Sequence, residues 1–170
     1  MRVRTETDVD RAAIRAVNEA AFCSGAEAEI VDALRAKGVE LVSLVADGDG
    51  AIVGHILFSP VSLVGHDGLD LMGLGPMAVL PREQRKGIGS ALVREGLKQC
   101  KQLGAQAVVV VGHPRYYPRF GFAPASRYGI RCEYDVPEDV FMVAELERGA
   151  LRAVSGLVRY DAAFGGPGQP

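Results

Sequence analysis

The sequence contains no tryptophan, only three cysteines, no long hydrophobic run and almost no net charge. A net charge of −2 argues against a nucleic-acid-binding protein, because such domains are usually strongly basic. No apolar stretch approaches the roughly 18 residues that a membrane helix requires. Because Met1–Glu6 is charged and lacks the apolar core of a signal peptide, we expect a cytoplasmic protein with neither nucleic acid nor a membrane as its partner.

The three cysteines, Cys23, Cys100 and Cys132, are odd in number and show no paired spacing. This pattern disfavours both a disulfide framework and a zinc site, and we expect no metal. Cys100 falls on the apolar face of a predicted helix, which favours a small core residue over a nucleophile.

What the sequence does contain is enough apolar material for one core, with 48% of its 170 residues hydrophobic. It shows no repeat, no long linker and no change of composition, so we predict a single domain over residues 1–164. The glycine- and proline-rich end, residues 165–170, is typical of a flexible tail.

The first forty residues predict a short strand followed by two helices. Val3–Arg4 is the strand, and Thr7 with Asp10 resembles a capping box for a helix that ends at Phe22. The second helix covers about Glu27–Lys37 and ends at Gly38. The helical spacing of apolar residues predicts these inward-facing side chains: Val9, Ala13, Val17, Ala20 or Ala21, Ile30, Val31 and Leu34.

Strand-like segments joined by tight-turn signals follow, at Asp47–Gly50 and Gly65–Gly68. They predict an antiparallel meander, with Gly54 as a possible bulge. The predicted strands are Leu41–Ala46, Ala51–Ser59, Val61–Val64 and Leu69–Leu80.

A crossover unit comes next, because an amphipathic helix that begins near Gly87 and ends at Gly104 leads to the apolar strand Gln106–Val111. Such a connection makes the two flanking strands parallel, so we predict an α/β protein with a mixed sheet. The apolar stripe of this helix is predicted to be Ile88, Ala91, Leu92, Leu97, Cys100 and Leu103. A closing antiparallel part is predicted from Arg127–Glu133, Val140–Leu146 and Gly156–Tyr160.

The loop before that helix carries Arg85 and Lys86 and then Gly87-Ile88-Gly89. The first amides of a helix lack intrahelical acceptors and carry the positive end of the helix dipole. Glycines allow a phosphate to approach the backbone closely. The loop therefore fits a pyrophosphate site, although the loop alone fits equally well a helix start whose glycines serve packing.

Two common phosphate-binding loops do not match. A nucleotide triphosphatase loop needs Gly-Lys followed by Ser or Thr, whereas Lys86 precedes Gly87 here. A dinucleotide-binding pattern is matched in spacing by Gly73, Gly75 and Ala78. That segment runs into Leu80-Pro81 and begins no helix, so the pattern lacks its structural context.

Gln84-Arg85-Lys86-Gly87-Ile88-Gly89 resembles the Gln/Arg-x-x-Gly-x-Gly/Ala signature of the GNAT N-acetyltransferase superfamily, between the fourth strand and the long helix. The later Tyr117-Pro118-Arg119-Phe120-Gly121-Phe122 resembles the family's Tyr-x-x-x-Gly-Phe. Together with Leu-Gly-Pro-Met-Ala-Val at 74–79 and Gly-Leu-Val-Arg-Tyr-Asp-Ala-Ala-Phe at 156–164, these motifs are similar to the bacterial YhbS-like branch of predicted acetyltransferases.

The resemblance implies the GNAT fold, whose central twisted mixed sheet splays between its fourth and fifth strands and is flanked by helices. Acetyl-CoA would lie in that wedge as co-substrate. The backbone of Met77 and Val79 would pair with the pantetheine arm, and the amides of residues 85–90 would hold the pyrophosphate. The coenzyme-binding residues that the resemblance implies are Met77, Ala78, Val79, Gln84, Arg85, Lys86, Gly87, Ile88, Gly89, Ser90, His113 and Tyr117.

In this family an acceptor amine attacks the thioester directly, and the resemblance implies that Tyr117 is the general acid that protonates the departing thiolate. A phenol with a pKa near 10 is protonated at neutral pH. Tyr116 is expected to point elsewhere. The general base stays open, because the family uses a carboxylate, a histidine or a water chain; His113 and Glu83 are the two candidates within sequence reach. His55 and His66 are expected to be ordinary strand and turn residues.

The sequence thus predicts an N-acetyltransferase that acts on a small-molecule or peptide amine. The alternatives are a non-catalytic acyl-CoA sensor or partner-binding module on the same fold, and an interaction protein without a ligand. The acceptor pocket would be built from the first two helices and the later loops, which show no charge pattern that selects an amine. A monomer and a homodimer are both compatible with the sequence.

Overall fold

The structure is a computed structural model, and it describes residues 1–165. The predicted tail, apart from Gly165, lies outside these residues. The helices are α1 (Arg11–Phe22), α2 (Ala26–Ala36) and α3 (Ile88–Gln102). The strands are β1 (Arg2–Thr5), β2 (Val42–Gly48), β3 (Ala51–Leu63), β4 (Leu71–Val79), β5 (Ala107–Val111), β6 (Ala123–Pro124), β7 (Ile130–Cys132), β8 (Phe141–Glu145) and β9 (Gly156–Arg159).

The chain divides into two compact units. The N-terminal unit comprises residues 1–58 and 75–99, and the C-terminal unit comprises residues 59–74 and the chain from Cys100 onward. The long strands β3 and β4 therefore contribute residues to both units. The single domain predicted from the sequence stays a prediction.

The N-terminal unit contains the sheet order β1–β2–β3–β4, with β1 antiparallel to β2 and β2 antiparallel to β3. The pairing of β2 with β3 shifts register between Ala46 and Asp47, which leaves Val53 as an extra residue beside Gly54. A Cβ atom at Gly54 would lie 3.1 Å from Ile88 and Leu92 on α3. The absence of a side chain at Gly54 thus allows the start of α3 to pack closely on β3.

The inward face of α1 differs from the one predicted. Val9 is 88% exposed, because a 3-10 turn covers Asp8–Asp10 and α1 begins only at Arg11. The buried residues on α1 are Ile14, Val17 and Asn18, whose spacing defines one helical face. The predicted contact between Thr7 and Asp10 is present, since the Thr7 backbone N–H donates to the Asp10 carboxylate at 2.7 Å.

Helix α3 contains a glycine that is required for space rather than for backbone conformation. A Cβ atom at Gly96 would lie only 2.1 Å from a ring carbon of Phe58 on β3. On an exposed helix Gly→Ala would stabilise by roughly 1 kcal/mol through helix propensity. Here the overlap reverses the sign, because overpacking a core costs about 1–3 kcal/mol.

We expect Gly96→Ala to lower the free energy of unfolding by about 1–3 kcal/mol, measured by urea denaturation. Adding Phe58→Leu to the Gly96→Ala variant should recover part of that loss, because the smaller side chain removes the overlap. A Gly96→Ala variant as stable as the wild type would contradict this packing.

A buried polar network crosses the N-terminal unit and centres on His55, which is fully buried on β3. The Asn18 amide nitrogen lies 3.2 Å from His55 Nδ1, and Ser43 Oγ lies 2.9 Å from His55 Nε2. Because the amide nitrogen can only donate, Nδ1 accepts and Nε2 carries the proton. Ser43 then donates to the Glu6 carboxylate, which also accepts two hydrogen bonds from Arg35 at 2.9 and 2.6 Å.

The same network shifts two pKa values in directions that favour folding above acid pH. Burial lowers the pKa of His55, so the ring is neutral at pH 7. Burial alone would raise the pKa of Glu6, but hydrogen bonds from His55, Arg35 and Ser43 outweigh it and lower the pKa to about 2 from 4.5. The Glu6 contribution is fully present above pH 4.5 and is lost as pH falls towards 2.

We expect the free energy of unfolding to fall between pH 5 and pH 2.5, with Glu6 accounting for up to about 3 kcal/mol of the change. In Glu6→Gln this part of the pH dependence should disappear, as measured by urea denaturation at several pH values. Glu19→Gln, which alters an exposed partner of Arg15, is the matched control and should keep the wild-type profile. Identical profiles for Glu6→Gln and the wild type would refute the assignment.

The C-terminal unit contains the parallel pairing that the sequence predicted. Leu71–Leu74 of β4 pairs with Ala107–Val110 of β5, and β8 lies antiparallel on the other side of β5. Strand β6 pairs with β8, and β9 pairs with the end of β3. The core of this unit consists of Val61, Leu63, Leu71, Ala107, Val109, Ala125, Ile130, Phe141, Val143, Leu151 and Val158.

Three details of this part differ from the prediction. Strand β3 is continuous through the exposed Pro60, because its later residues Ser62 and Leu63 pair with β9. The β7–β9 pair is parallel rather than antiparallel. Leu103 is 50% exposed because it lies beyond the last residue of α3, whereas Cys100 is buried as expected and burial raises the pKa of its thiol to about 12.

No helix in the described part of the chain combines the length and apolar character needed to cross a membrane.

Candidate functional site

The glycine turn, defined here as Gln84–Gly89, is anchored to the end of β4. After Val79 the Leu80 N–H donates to the Val53 carbonyl of β3 at 2.9 Å, and a 3-10 turn follows at Pro81–Glu83. The Gln84 side-chain amide donates to the Val79 carbonyl at 3.1 Å. These bonds fix where the turn begins relative to the strand that precedes it.

The backbone of the glycine turn exposes the first amides of α3. The Ala91 N–H donates to the Gly87 carbonyl at 3.0 Å, so the amides of Ile88 and Gly89 precede the first intrahelical hydrogen bond. Gly87 has φ +85°, a left-handed conformation that glycine adopts without strain, and Arg85 has φ +62°. No heavy atom lies within 4 Å of the position of a Cβ atom at Gly87, so the space beside the turn is open.

Of the three basic side chains around the turn, two form ion pairs with Glu83 and one does not. Lys86 Nζ lies 3.0 Å from a Glu83 carboxylate oxygen, and Arg82 Nε lies 3.7 Å from the other. Arg85 is exposed and forms no salt bridge with any residue in 1–165. Its charge, added to the positive end of the helix dipole, makes this end of α3 attractive to an anion.

The end of β4 provides a second element of the predicted site. Its register with β5 is set over Leu71–Leu74, and the strand continues to Val79. Ala78 is buried and its carbonyl would lie 3.3 Å from a Cβ atom at Gly54, while Met77 and Val79 are partly exposed. Alternation along the strand thus turns Ala78 towards the core and its two neighbours away from it.

Tyr117 lies in the C-terminal unit, in a 3-10 turn at Tyr117–Phe120 that follows β5. It is 6% exposed, and its ring packs directly on Gly112, where a Cβ atom would lie 2.3 Å from a ring carbon. The rings of Tyr116, Phe120 and Phe122 surround it at centroid distances of 5.1, 6.4 and 5.5 Å. The ring position is therefore fixed by packing on several sides.

Burial raises the pKa of the Tyr117 phenol well above its ordinary value near 10. The hydroxyl is therefore protonated throughout the neutral range and can act only as a proton or hydrogen-bond donor to an anion there. Tyr116 belongs to a different arrangement, since the Arg119 guanidinium lies 4.7 Å over its ring and Arg119 Nε donates to the Tyr116 carbonyl at 2.9 Å.

The two candidates for a general base have different surroundings. His113 is exposed, and its carbonyl accepts the backbone N–H groups of Tyr116 and Tyr117 at 3.0 and 3.4 Å. Glu83 forms the ion pairs with Lys86 and Arg82 described above. His66 lies in the turn after β3, as expected, while His55 is a strand residue in the buried network.

The predicted residues therefore fall into two groups. The N-terminal unit brings together Met77, Ala78, Val79, Gln84, Arg85, Lys86, Gly87, Ile88, Gly89 and Ser90, and the C-terminal unit brings together His113 and Tyr117. Gly54 and Gly112 have packing roles that were not predicted from the sequence. Their signal was present in part, because glycine within or directly after a strand indicates close approach of another element. Among the described residues, no group of three or more His, Cys, Asp or Glu side chains could hold a metal ion.

Comparison with known proteins gives one family. Residues 11–122 match the model of the acetyltransferase (GNAT) family. The uncharacterized N-acetyltransferase YhbS of Escherichia coli K12 is 39% identical over 165 residues, which cover 96% of this chain and 98% of YhbS.

Two solved structures are similar over almost the whole chain. The crystal structure of the GNAT family N-acetyltransferase YhbS from Escherichia coli in complex with CoA has a TM-score of 0.92 and 37% identity, and covers 99% of this chain and 95% of that one. The structure of a GNAT family acetyltransferase from Brucella melitensis in complex with acetyl-CoA has a TM-score of 0.79 and 40% identity, and covers 96% and 97%.

Proposed function

Because the chain belongs to the acetyltransferase (GNAT) family, we propose that it transfers the acetyl group of acetyl-CoA to a primary amine of a small molecule or peptide. The fold is the GNAT fold, with a mixed sheet in which β4 and β5 are parallel. The two similar structures were solved with CoA and with acetyl-CoA, which supports an acyl-CoA as co-substrate.

The observation that carries the proposal is the open glycine turn at the start of α3. The turn offers the amides of Ile88 and Gly89, a glycine in a conformation that keeps side-chain atoms away, and the charge of Arg85. These are the features that a pyrophosphate requires. We assign the pyrophosphate to residues 84–90 and the pantetheine arm to the backbone of Met77–Val79.

Tyr117 is proposed as the general acid. When the neutral acceptor nitrogen attacks the carbonyl carbon, a C–N bond forms and the C–S bond breaks, and the thiolate takes the phenolic proton of Tyr117. The proton that the nitrogen then releases restores the phenol. The raised pKa of this phenol ensures that the proton is present at neutral pH. The acceptor ammonium must lose a proton before attack, and both His113 and Glu83 stay predictions for that step.

Two measurements test the proposal. Acetyl-CoA should raise the melting temperature of the protein in proportion to the logarithm of its concentration above the dissociation constant, because it binds only the folded state. Thiol release in the presence of an amine panel should then detect turnover. Stabilisation without thiol release would favour the sensor, and the absence of stabilisation would favour an interaction protein.

A cytoplasmic location belongs to the same proposal. The described chain holds Cys23, Cys100 and Cys132 as free thiols, which is the usual state of cysteine in a reducing compartment.

A further inference from the structure

A cavity of about 460 Å³ opens in the C-terminal unit, between a 3-10 turn at Ala125–Tyr128, strand β7 and the segment that leads into β8. Small-molecule sites commonly enclose about 300–1,000 Å³. None of the residues assigned above to the coenzyme lines this cavity, so it is a separate feature of the unit.

One wall of the cavity is apolar and belongs to the core of the unit. Ile130 and Phe141 line it and are themselves almost fully buried, at 2% and 4% exposure. Val136 and Pro137 add to the same lining. Because Ile130 and Phe141 are fixed by core packing, this wall is preformed and favours an apolar group of a ligand.

Tyr134 is one of the residues that line the cavity, and it carries a buried hydroxyl. Tyr134 is 5% exposed, and its Oη has no hydrogen-bond partner among residues 1–165. Leaving a buried polar group unsatisfied costs about 1–3 kcal/mol. Its ring packs against that of Tyr160 at a centroid distance of 5.3 Å, and burial raises the pKa of the phenol to about 12. The phenol of Tyr134 therefore keeps its proton at neutral pH.

Two opposite charges complete the lining. Arg131 and Glu138 are exposed, both line the cavity, and neither forms a salt bridge with a described residue. A guanidinium is well shaped to bind a carboxylate, and a carboxylate pairs with an ammonium. An apolar wall with one free charge of each sign is complementary to a molecule that carries an apolar group, a carboxylate and an amine.

One residue of the cavity wall is linked by backbone pairing to the segment that leads to Tyr117. Phe141 pairs with Val111 in the β5–β8 register, and the next residue, Gly112, donates its N–H to the Val140 carbonyl at 2.9 Å. Gly112 is also the residue on which the Tyr117 ring packs. The cavity wall and the proposed acid are thus connected through adjacent residues of one unit.

We propose that this cavity binds an apolar α-amino acid, with Arg131 on the carboxylate, Glu138 on the ammonium and the side chain against the apolar wall. The assignment of this molecule as acceptor rests on the proposed function. The ammonium would first lose one proton to water. The amine would then form the amide C–N bond as the C–S bond breaks, Tyr117 would give its proton to the sulfur, and the second proton released by the nitrogen would restore the phenol.

Binding is tested first without coenzyme, by titration calorimetry with L-phenylalanine, L-leucine and L-methionine. Each is compared with the amine that lacks its carboxylate: 2-phenylethylamine, 3-methylbutylamine and 3-(methylthio)propylamine. L-Phenylalanine is also compared with 3-phenylpropionate, which lacks the amine. We expect at least one amino acid to bind, at least tenfold more tightly than its analogue without a carboxylate. If none of the three binds better than its analogue, the assignment of the cavity is overturned.

Two variants test the contributions of Arg131 and Glu138 to binding one at a time. Arg131→Gln should weaken amino-acid binding at least tenfold and leave 2-phenylethylamine unaffected, whereas Glu138→Gln should weaken both the amino acid and the amine and leave 3-phenylpropionate unaffected. Asp139→Asn and Arg148→Gln alter exposed charges that do not line the cavity and are the matched controls. Equal losses in the variants and their controls would overturn the proposed contacts.

A titration with acetyl-CoA, run separately, distinguishes the two proposals. If acetyl-CoA binds and thiol is released with other amines while the amino acids do not bind, the inference about the cavity fails alone. If an amino acid binds but acetyl-CoA does not, the proposed function fails and the binding site stands. Thiol release that depends on the bound amino acid and falls in Arg131→Gln supports both.

Discussion

Gly87→Glu is expected to weaken acetyl-CoA binding by at least about 100-fold, because it places a carboxylate in the space assigned to the pyrophosphate. Two like charges about 4 Å apart repel by roughly 4 kcal/mol at the effective dielectric of a protein surface. The added side chain also fills the open space beside the turn. Calorimetric titration with CoA and with acetyl-CoA measures the loss directly.

The matched control is Gly50→Glu in the turn between β2 and β3. Gly50 has φ +88°, against +85° for Gly87, and a Cβ atom at either position would meet nothing within 4 Å. Both substitutions therefore carry the same backbone strain, about 1–2 kcal/mol, and only one lies in the glycine turn. Full coenzyme affinity in Gly87→Glu, or an equal loss in Gly50→Glu, would refute the placement of the pyrophosphate.

Tyr117→Phe is expected to lower kcat by roughly 100-fold, the lower end of the range for a general acid, since a thiolate is a comparatively good leaving group. The KM for acetyl-CoA should change little, because the ring and its packing on Gly112 are retained. Steady-state thiol release with a fixed acceptor separates the two constants.

Tyr116→Phe serves as the control, because it removes the same hydroxyl from the neighbouring ring, whose face is covered by Arg119. It should retain most of the wild-type kcat. A Tyr117→Phe variant that loses coenzyme affinity and keeps kcat would make Tyr117 a packing residue. Since the pKa of Tyr117 is raised, wild-type activity should show no loss from its ionisation up to about pH 10.

The order of helices and strands was largely predictable, because turn residues and the spacing of apolar residues are local features of the sequence. The turn signal at Asp47–Gly50 marks the end of β2, whose last residues are Asp47 and Gly48, and the signal at Gly65–Gly68 lies between β3 and β4. The crossover into β5 follows from a glycine-bounded helix before an apolar run. The family was predictable for a different reason, since the glycine turn and the Tyr117 motif are short, ordered and far apart in sequence.

What the sequence did not predict depends on contacts between distant residues. Val9 has the right spacing for the α1 face, but a 3-10 turn places it in solvent. The polar residues that surround His55 come from separate elements and share no local pattern. The same holds for the cavity near Tyr134, where the apolar wall and the two charges are brought together only by folding.

Gly112 shows how far a functional requirement extends from a reacting group. This residue has no side chain and contributes no chemistry, yet the ring of the proposed acid rests directly on its α-carbon. Any larger residue at this position would displace the phenol of Tyr117, although Tyr117 itself would be unchanged. A mutational scan scored by activity would therefore identify position 112 as essential. The reason would be steric, because the Tyr117 ring occupies the space that a side chain at position 112 would fill.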